Sequence, residues 1–121
     1  MDRLRVLFVD DEEELVDTVV ERLNFRGIEA QGALNGTDAL RLIEEQEFDV
    51  VVLDVKMPGL SGFDVLRTMK QRHPNLTVVF LTGHGAEEDA MEGLRMGAFD
   101  YLMKPINIDA LVNILHKAAS R

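Results

Sequence analysis

Five polar side chains follow short apolar runs in this chain. Asp10-Asp11 comes after Val6-Leu7-Phe8-Val9, and Asp54 after Val50-Val51-Val52-Leu53. Thr82 comes after Val78-Val79-Phe80-Leu81, and Lys104 after Tyr101-Leu102-Met103. Brought together, the acids repel: at ~4 Å and an effective dielectric near ~20, each like-charged pair costs about 4 kcal/mol. Raised pKa values or a bound cation must offset that cost. The donors are all oxygens, with no His or Cys at these positions. A hard divalent ion fits such a set, Mg²⁺ best. Mg²⁺, an ammonium and a hydroxyl around a carboxylate suit phosphoryl chemistry. The cations neutralise the transferring oxygens, and a carboxylate can be the nucleophile. These residues alone do not select among Asp10, Asp11 and Asp54 for that role.

Each piece has a plainer reading. Asp10 to Glu14 could be acids at a helix N-terminus, where the dipole favours them. Asp54 could be a turn acid ahead of Pro58-Gly59, Thr82 a helix cap and Lys104 a solvated charge. Their joint placement after four apolar runs favours the shared site.

Topology must supply the convergence. The four runs are short, β-branched or aromatic, and continuously apolar, as expected of strands covered on both faces. A weaker strand is expected over Ile28 to Ala33, where Gln31 and Gly32 suit an edge. Helical spacing links Leu15, Val16, Val19, Val20 and Leu23, with a stop at Gly27. Further helices are marked by Ala39, Leu40 and Ile43, and by Phe63, Leu66 and Met69. Ser61 and Asp64 can cap the latter, and Pro74 ends it. Ala90, Met91 and Leu94 mark a fourth helix, stopped near Gly97, with Met91 expected in the core. Leu111, Ile114, Leu115 and Ala118 mark a fifth, capped by Asn107 or Asp109. A β-α unit repeated five times with right-handed crossovers gives an α/β, three-layer, doubly wound parallel sheet. All strand C-termini then share one rim, where ligands of open α/β sheets bind.

Composition narrows the class. The 121 residues amount to about one domain, expected to span 1–121. With 46% hydrophobic and 29% charged residues, the chain reads as globular. It has no cysteine, which excludes disulfides and thiolate chemistry. Thirteen Lys and Arg against 22 Asp and Glu leave a net charge of −9, unlike the basic face of a nucleic-acid binder. No apolar stretch approaches the ~20 residues of a membrane span, and the N-terminus lacks a secretory h-region. A cytoplasmic location is expected.

The chain resembles the receiver domain of bacterial two-component response regulators. The resemblance rests on Asp10-Asp11, the stretch Leu53-Asp54-Val55-Lys56-Met57-Pro58-Gly59-Leu60-Ser61-Gly62, Thr82-Gly83 and Lys104-Pro105. It covers nearly the whole chain, with the motifs in order and spacing. It implies a flavodoxin-like strand order 2-1-3-4-5. It implies Asp54 as phosphoacceptor, taking a phosphoryl group from a partner sensor histidine kinase or phosphotransfer protein. Asp11, Asp54 and the backbone carbonyl of Lys56 would hold Mg²⁺ (Mn²⁺ is the alternative ion), with Asp10 assisting through water. Lys104 would pair with the phosphoryl group and Thr82 would turn its hydroxyl toward it. Tyr101 matches the aromatic switch position, and the bond before Pro105 is expected to be cis. The readout would be the face of the fourth helix, fifth strand and fifth helix, near Met91, Met96 and Tyr101. That face would serve an output domain, a partner protein or a phosphorylation-dependent homodimer. The domain itself would bind neither nucleic acid nor membrane. Lys56 and His84 occupy positions that flank the phosphoryl group in receivers, where they would tune the lifetime of the aspartyl phosphate; solvated loop residues are the plainer reading.

Two rival functions share these residues. A small Mg²⁺-dependent phosphatase with an aspartyl nucleophile would want a second acid two residues on, where Lys56 stands, and a cap or larger pocket. A pseudo-receiver would lack one of the acids, Thr82 or Lys104, and all are present. A nucleotide or flavin domain would want a Gly-rich first turn, where this chain has Asp10-Asp11-Glu12-Glu13. His73 and His116 fall near helix C-termini, a favourable place for partial positive charge. The short stretch after the fifth helix fits either a stand-alone regulator or one whose output domain lies elsewhere in a longer chain. The stretch Gly97 to Leu102 looks similar to receivers attached to transcription activators.

Overall fold

The computed structural model describes residues 3–83 and 86–120. Strands and helices alternate strictly: β1 (Arg5–Val9), α1 (Glu13–Phe25), β2 (Glu29–Ala33), α2 (Gly36–Glu45), β3 (Val50–Asp54), α3 (Gly62–Arg72), β4 (Thr77–Thr82), α4 (Glu87–Arg95), β5 (Asp100–Met103) and α5 (Ile108–Ala119). All strand pairs are parallel, in the order β2-β1-β3-β4-β5. This is the flavodoxin-like arrangement that the resemblance implied.

Local chemistry sets the helix ends. Asn35, Ser61 and Asn107 each accept a backbone N–H three residues on, from Asp38, Asp64 and Ala110. Such caps satisfy donors that the first turn leaves orphaned. Gly27 and Gly97 take positive φ (82° and 112°) just beyond α1 and α4, a conformation that costs glycine little.

Strand parity divides the core. Leu7, Val9, Val51, Leu53, Val78 and Phe80 face one layer, with Ala39 and Ile43 of α2 and Val65, Leu66 and Met69 of α3. Val6, Phe8, Val50, Val52, Val79 and Leu81 face the other, with Val16, Val19 and Leu23 of α1 and Leu111 and Leu115 of α5. Successive strand residues point to opposite faces, so continuous apolar runs are what a doubly covered sheet needs. β3 and β4 are buried throughout.

Two expectations are corrected. Tyr101-Leu102-Met103 is not covered like the central strands: β5 pairs only with β4, and all its residues are half-buried. An edge strand has a neighbour on one side only, and apolarity alone does not reveal that. Met91 is not in the core either. It is 50% exposed, whereas Met96 packs against the α2–α3 layer.

Helix α4 rests on the sheet through its buried Ala90 and Gly93. A Cβ on Gly93 would overlap the ring of Phe80. Phe80 is fully buried and meets Phe63 edge-on, centroids 5.5 Å apart at 70°, so it has nowhere to retreat. Gly→Ala inside a helix ordinarily gains up to ~1 kcal/mol. Here Gly93→Ala is expected to lower stability by about 1–3 kcal/mol through overpacking. Urea unfolding measures this, and a net gain would refute the tight α4–β4 approach.

Candidate functional site

The sheet order brings the predicted side chains to one rim. Asp54 is the last residue of β3, Thr82 the last of β4, Asp10 follows β1 and Lys104 follows β5. Backbone bonds just past the strands hold them. Asp10 N–H donates to Ala33 O (3.1 Å) and Lys104 N–H to Thr82 O (2.8 Å). The Lys104–Pro105 peptide is cis. The β3–α3 loop folds back so that Gly62 N–H donates to Val55 O at 2.8 Å. A Cβ on Gly62 would lie 2.7 Å from Val55 Cα, so only glycine fits this return.

Burial separates the acids. Asp10 is fully buried and Asp54 nearly so at 5%, whereas Asp11 is exposed. One carboxylate oxygen from each of the three lies within 4.8 Å of the others. Lys104 Nζ sits among them, 2.8 Å from Asp10 Oδ2 and 3.7 Å from Asp54 Oδ2. Its third partner is Glu12 Oε1 at 3.1 Å. Glu12, read from sequence only as a helix-terminus acid, is thus part of the cluster. Its position at the start of α1, next to Asp10-Asp11, was the available signal. Asp10 Oδ1 also accepts the Glu12 N–H at 2.9 Å.

These surroundings perturb both charges. Burial, and then the negative charge of Asp10, push the Asp54 carboxyl from 3.8 up to about 6, against the pull of Lys104 and the Lys56 backbone N–H; Asp11 adds to the rise. Burial disfavours the charge on Lys104, but Asp10, Asp54 and Glu12 outweigh it and hold the ammonium above the usual lysine value. Thr82 is buried, and its Oγ1 finds no hydrogen-bond partner among the described residues. An unpaired buried hydroxyl costs roughly 1–3 kcal/mol and marks a position where an acceptor oxygen would be satisfied. Tyr101 is half-buried in β5, pairs in register with Phe80 and packs on the α2–α3 layer. Lys56 is exposed. His84 lies outside the described residues.

The residues fit a hard divalent cation. The donors are oxygens, they carry excess negative charge, and one of them, on Asp11, faces solvent. Such a set suits Mg²⁺ with retained waters.

Two outcomes follow. The folded Asp54 pKa, about 6, lies above its unfolded value of 3.8. Ionising Asp54 therefore costs the folded state. The cost is absent below about pH 4, grows up to pH 6 and is full above it. In EDTA, Asp54→Asn is expected to stabilise the protein at pH 7–8 by on the order of 2–3 kcal/mol, the gain vanishing toward pH 4. Denaturant melts across pH measure this, and a pH-independent difference would count against it. Mg²⁺ is expected to raise the melting temperature of the parent at pH 7.5 by mass action, and Asp11→Asn to remove most of that rise.

The chain matches known proteins along most of its length. The family model for the response regulator receiver domain matches residues 6–116. An NtrX-like response regulator of Rickettsia conorii is 38% identical over 120 residues, 98% of this chain and 25% of that protein. The DNA-binding transcriptional regulator NtrC of Escherichia coli K12 is 35% identical over 116 residues, 95% of this chain and 25% of that protein. The chain thus spans about a quarter of the length of these relatives. The crystal structure of the receiver domain of NtrX from Brucella abortus matches with a TM-score of 0.91 at 35% identity, covering 95% of this chain and 98% of that one. Sequence and three-dimensional structure agree: the chain belongs to the response regulator receiver domains of two-component signalling.

Proposed function

We propose that residues 1–121 form one receiver domain that works as a phosphorylation-activated switch, with Asp54 as phosphoacceptor. One observation carries the reading: Asp54 ends a fully buried strand beside Lys104, while the buried Thr82 hydroxyl, without a partner among the described residues, ends the next strand. Asp54 is favoured over its neighbours because Asp10 already engages Lys104 and the Glu12 N–H through its two oxygens. Asp11 is exposed.

In this reading an Asp54 oxygen attacks the phosphorus of a phosphohistidine on a sensor histidine kinase or phosphotransfer protein. The O–P bond forms as the P–N bond breaks. The electron pair leaves with the imidazole, which takes up a proton from water. Asp11, Asp54 and the Lys56 carbonyl would hold Mg²⁺ or Mn²⁺, with Asp10 assisting. When bound, the ion supplies charge neutralisation at the phosphoryl oxygens. Lys104 pairs with one phosphoryl oxygen and the Thr82 hydroxyl donates to another. Attack of water on phosphorus returns the carboxylate, so the domain resets itself and turns over no metabolite.

The signal is a population shift, bounded by the differential binding of the phosphoryl group to two loop arrangements. By parity Thr82 shares the face of Phe80, on which α4 rests. The neighbouring strand carries Tyr101. Helix α4 has no side-chain cap at Ala86 and buries little but Ala90 and Gly93, so small rearrangements at Thr82 and Tyr101 can move it. The α4–β5–α5 face, with Met91 half exposed, is the surface read by an output domain, a partner protein or a second copy. The described residues contain no helix long and apolar enough to cross a membrane. A cytoplasmic kinase substrate fits that. Lys56 and His84 set the lifetime of the aspartyl phosphate.

Incubation with acetyl phosphate or phosphoramidate and Mg²⁺ is expected to add one phosphoryl mass, absent in EDTA and in Asp54→Asn. A modified Asp54→Asn protein would overturn the assignment. Lys56→Ala and His84→Ala are expected to change the dephosphorylation half-life severalfold. Half-lives equal to the parent's would make both mere solvated loop residues.

A further inference from the structure

Glu12 stands at the N-cap of α1, where Ser, Thr, Asp and Asn are the favoured residues because their short side chains reach the first-turn N–H groups. Glu12 makes no such bond. Its side chain turns the other way, and Oε1 accepts from Lys104 Nζ at 3.1 Å across 92 positions of sequence. Its backbone is pinned by the 2.9 Å bond from its own N–H to Asp10 Oδ1. Glu12 and Asp10 are therefore the ammonium's nearest partners, at 3.1 and 2.8 Å, with Asp54 farther off at 3.7 Å.

We propose that Glu12 is a positioning residue for phosphoryl capture, holding Lys104 toward α1 in the resting protein so that a phosphoryl group on Asp54 must draw it away. This rests on the switch reading above. Asp10 is fully buried and beside Asp54, so it stays near Lys104 in either state. Glu12 is the partner at the solvent edge, its side chain 64% exposed. It is the contact that can be exchanged. A contact made in the resting state and given up in the phosphorylated one biases the equilibrium toward rest. Glu12 thereby sets how readily the domain switches on, without touching the transferred group.

Beryllofluoride, a phosphoryl mimic that needs no turnover, tests this at saturating Mg²⁺. Glu12→Gln keeps the side-chain length and is expected to bind it about two- to fivefold more tightly than the parent, the range for one exposed ion pair. Glu13→Gln, an equal charge change at the neighbouring exposed residue, is expected to match the parent. The Glu12→Gln advantage is expected to shrink toward one in ~1 M salt, where the Debye length is about 3 Å. Equal affinity of Glu12→Gln and parent would overturn the proposal. So would an equal gain in Glu13→Gln, which would make the effect one of net charge alone. If the parent itself fails to bind beryllofluoride, the switch reading falls and this proposal with it. Thermal melts of all three proteins show whether folding contributes.

Discussion

Two carboxylates buried side by side, served by one ammonium, are the constraint around which this rim is built. Asp10 and Asp54 sit at the ends of adjacent parallel strands, β1 and β3, where the sheet has already excluded water. Burial, and then the neighbouring charge of Asp10, push the Asp54 carboxyl up to about 6 despite the opposing pull of Lys104. The resting site is therefore electrostatically unsatisfied. A divalent cation would relieve it by adding positive charge. In the proposed reading, a phosphoryl group arriving with that cation would supply acceptor oxygens for Lys104 and for the Thr82 hydroxyl, which has no partner among the described residues.

The rest of the chain supports that arrangement. Strands β3 and β4 are buried throughout and carry no polar side chain until their last residue, apart from Thr77 at the start of β4. Rigidity here is apolar packing: close-packed cores yield little, so charges placed at their margin are held in position. Helix α4 has no side-chain cap and is seated through Ala90 and Gly93 close against the Phe80 ring. In the proposed switch, that close contact would carry a change at Thr82 from the sheet to α4.

Much of the fold was legible in the chain. Continuous apolar runs marked β1, β3 and β4, and helical spacing with Ser61, Asn107, Gly27 and Gly97 marked helices and their ends. What misled was apolarity without neighbours. Tyr101-Leu102-Met103 read as fully covered on both faces, yet at the sheet edge β5 is only half-buried. Met91 read like core, yet it is turned to solvent, because Gly93 brings α4 so close to Phe80 that only small side chains fit beneath the helix.

The order of residue types along the chain was enough to place three acids, a hydroxyl and a lysine at strand ends, and parallel topology is enough to put strand ends on one rim. It left the three acids equivalent. Tertiary structure separated them, because burial and partners depend on which strands are neighbours: Asp10 fully buried against Lys104, Asp11 exposed, Asp54 nearly fully buried and farther from Lys104. It also recruited Glu12, whose link to Lys104 spans 92 residues. A charge pair that long-range exists only once the sheet has closed the distance.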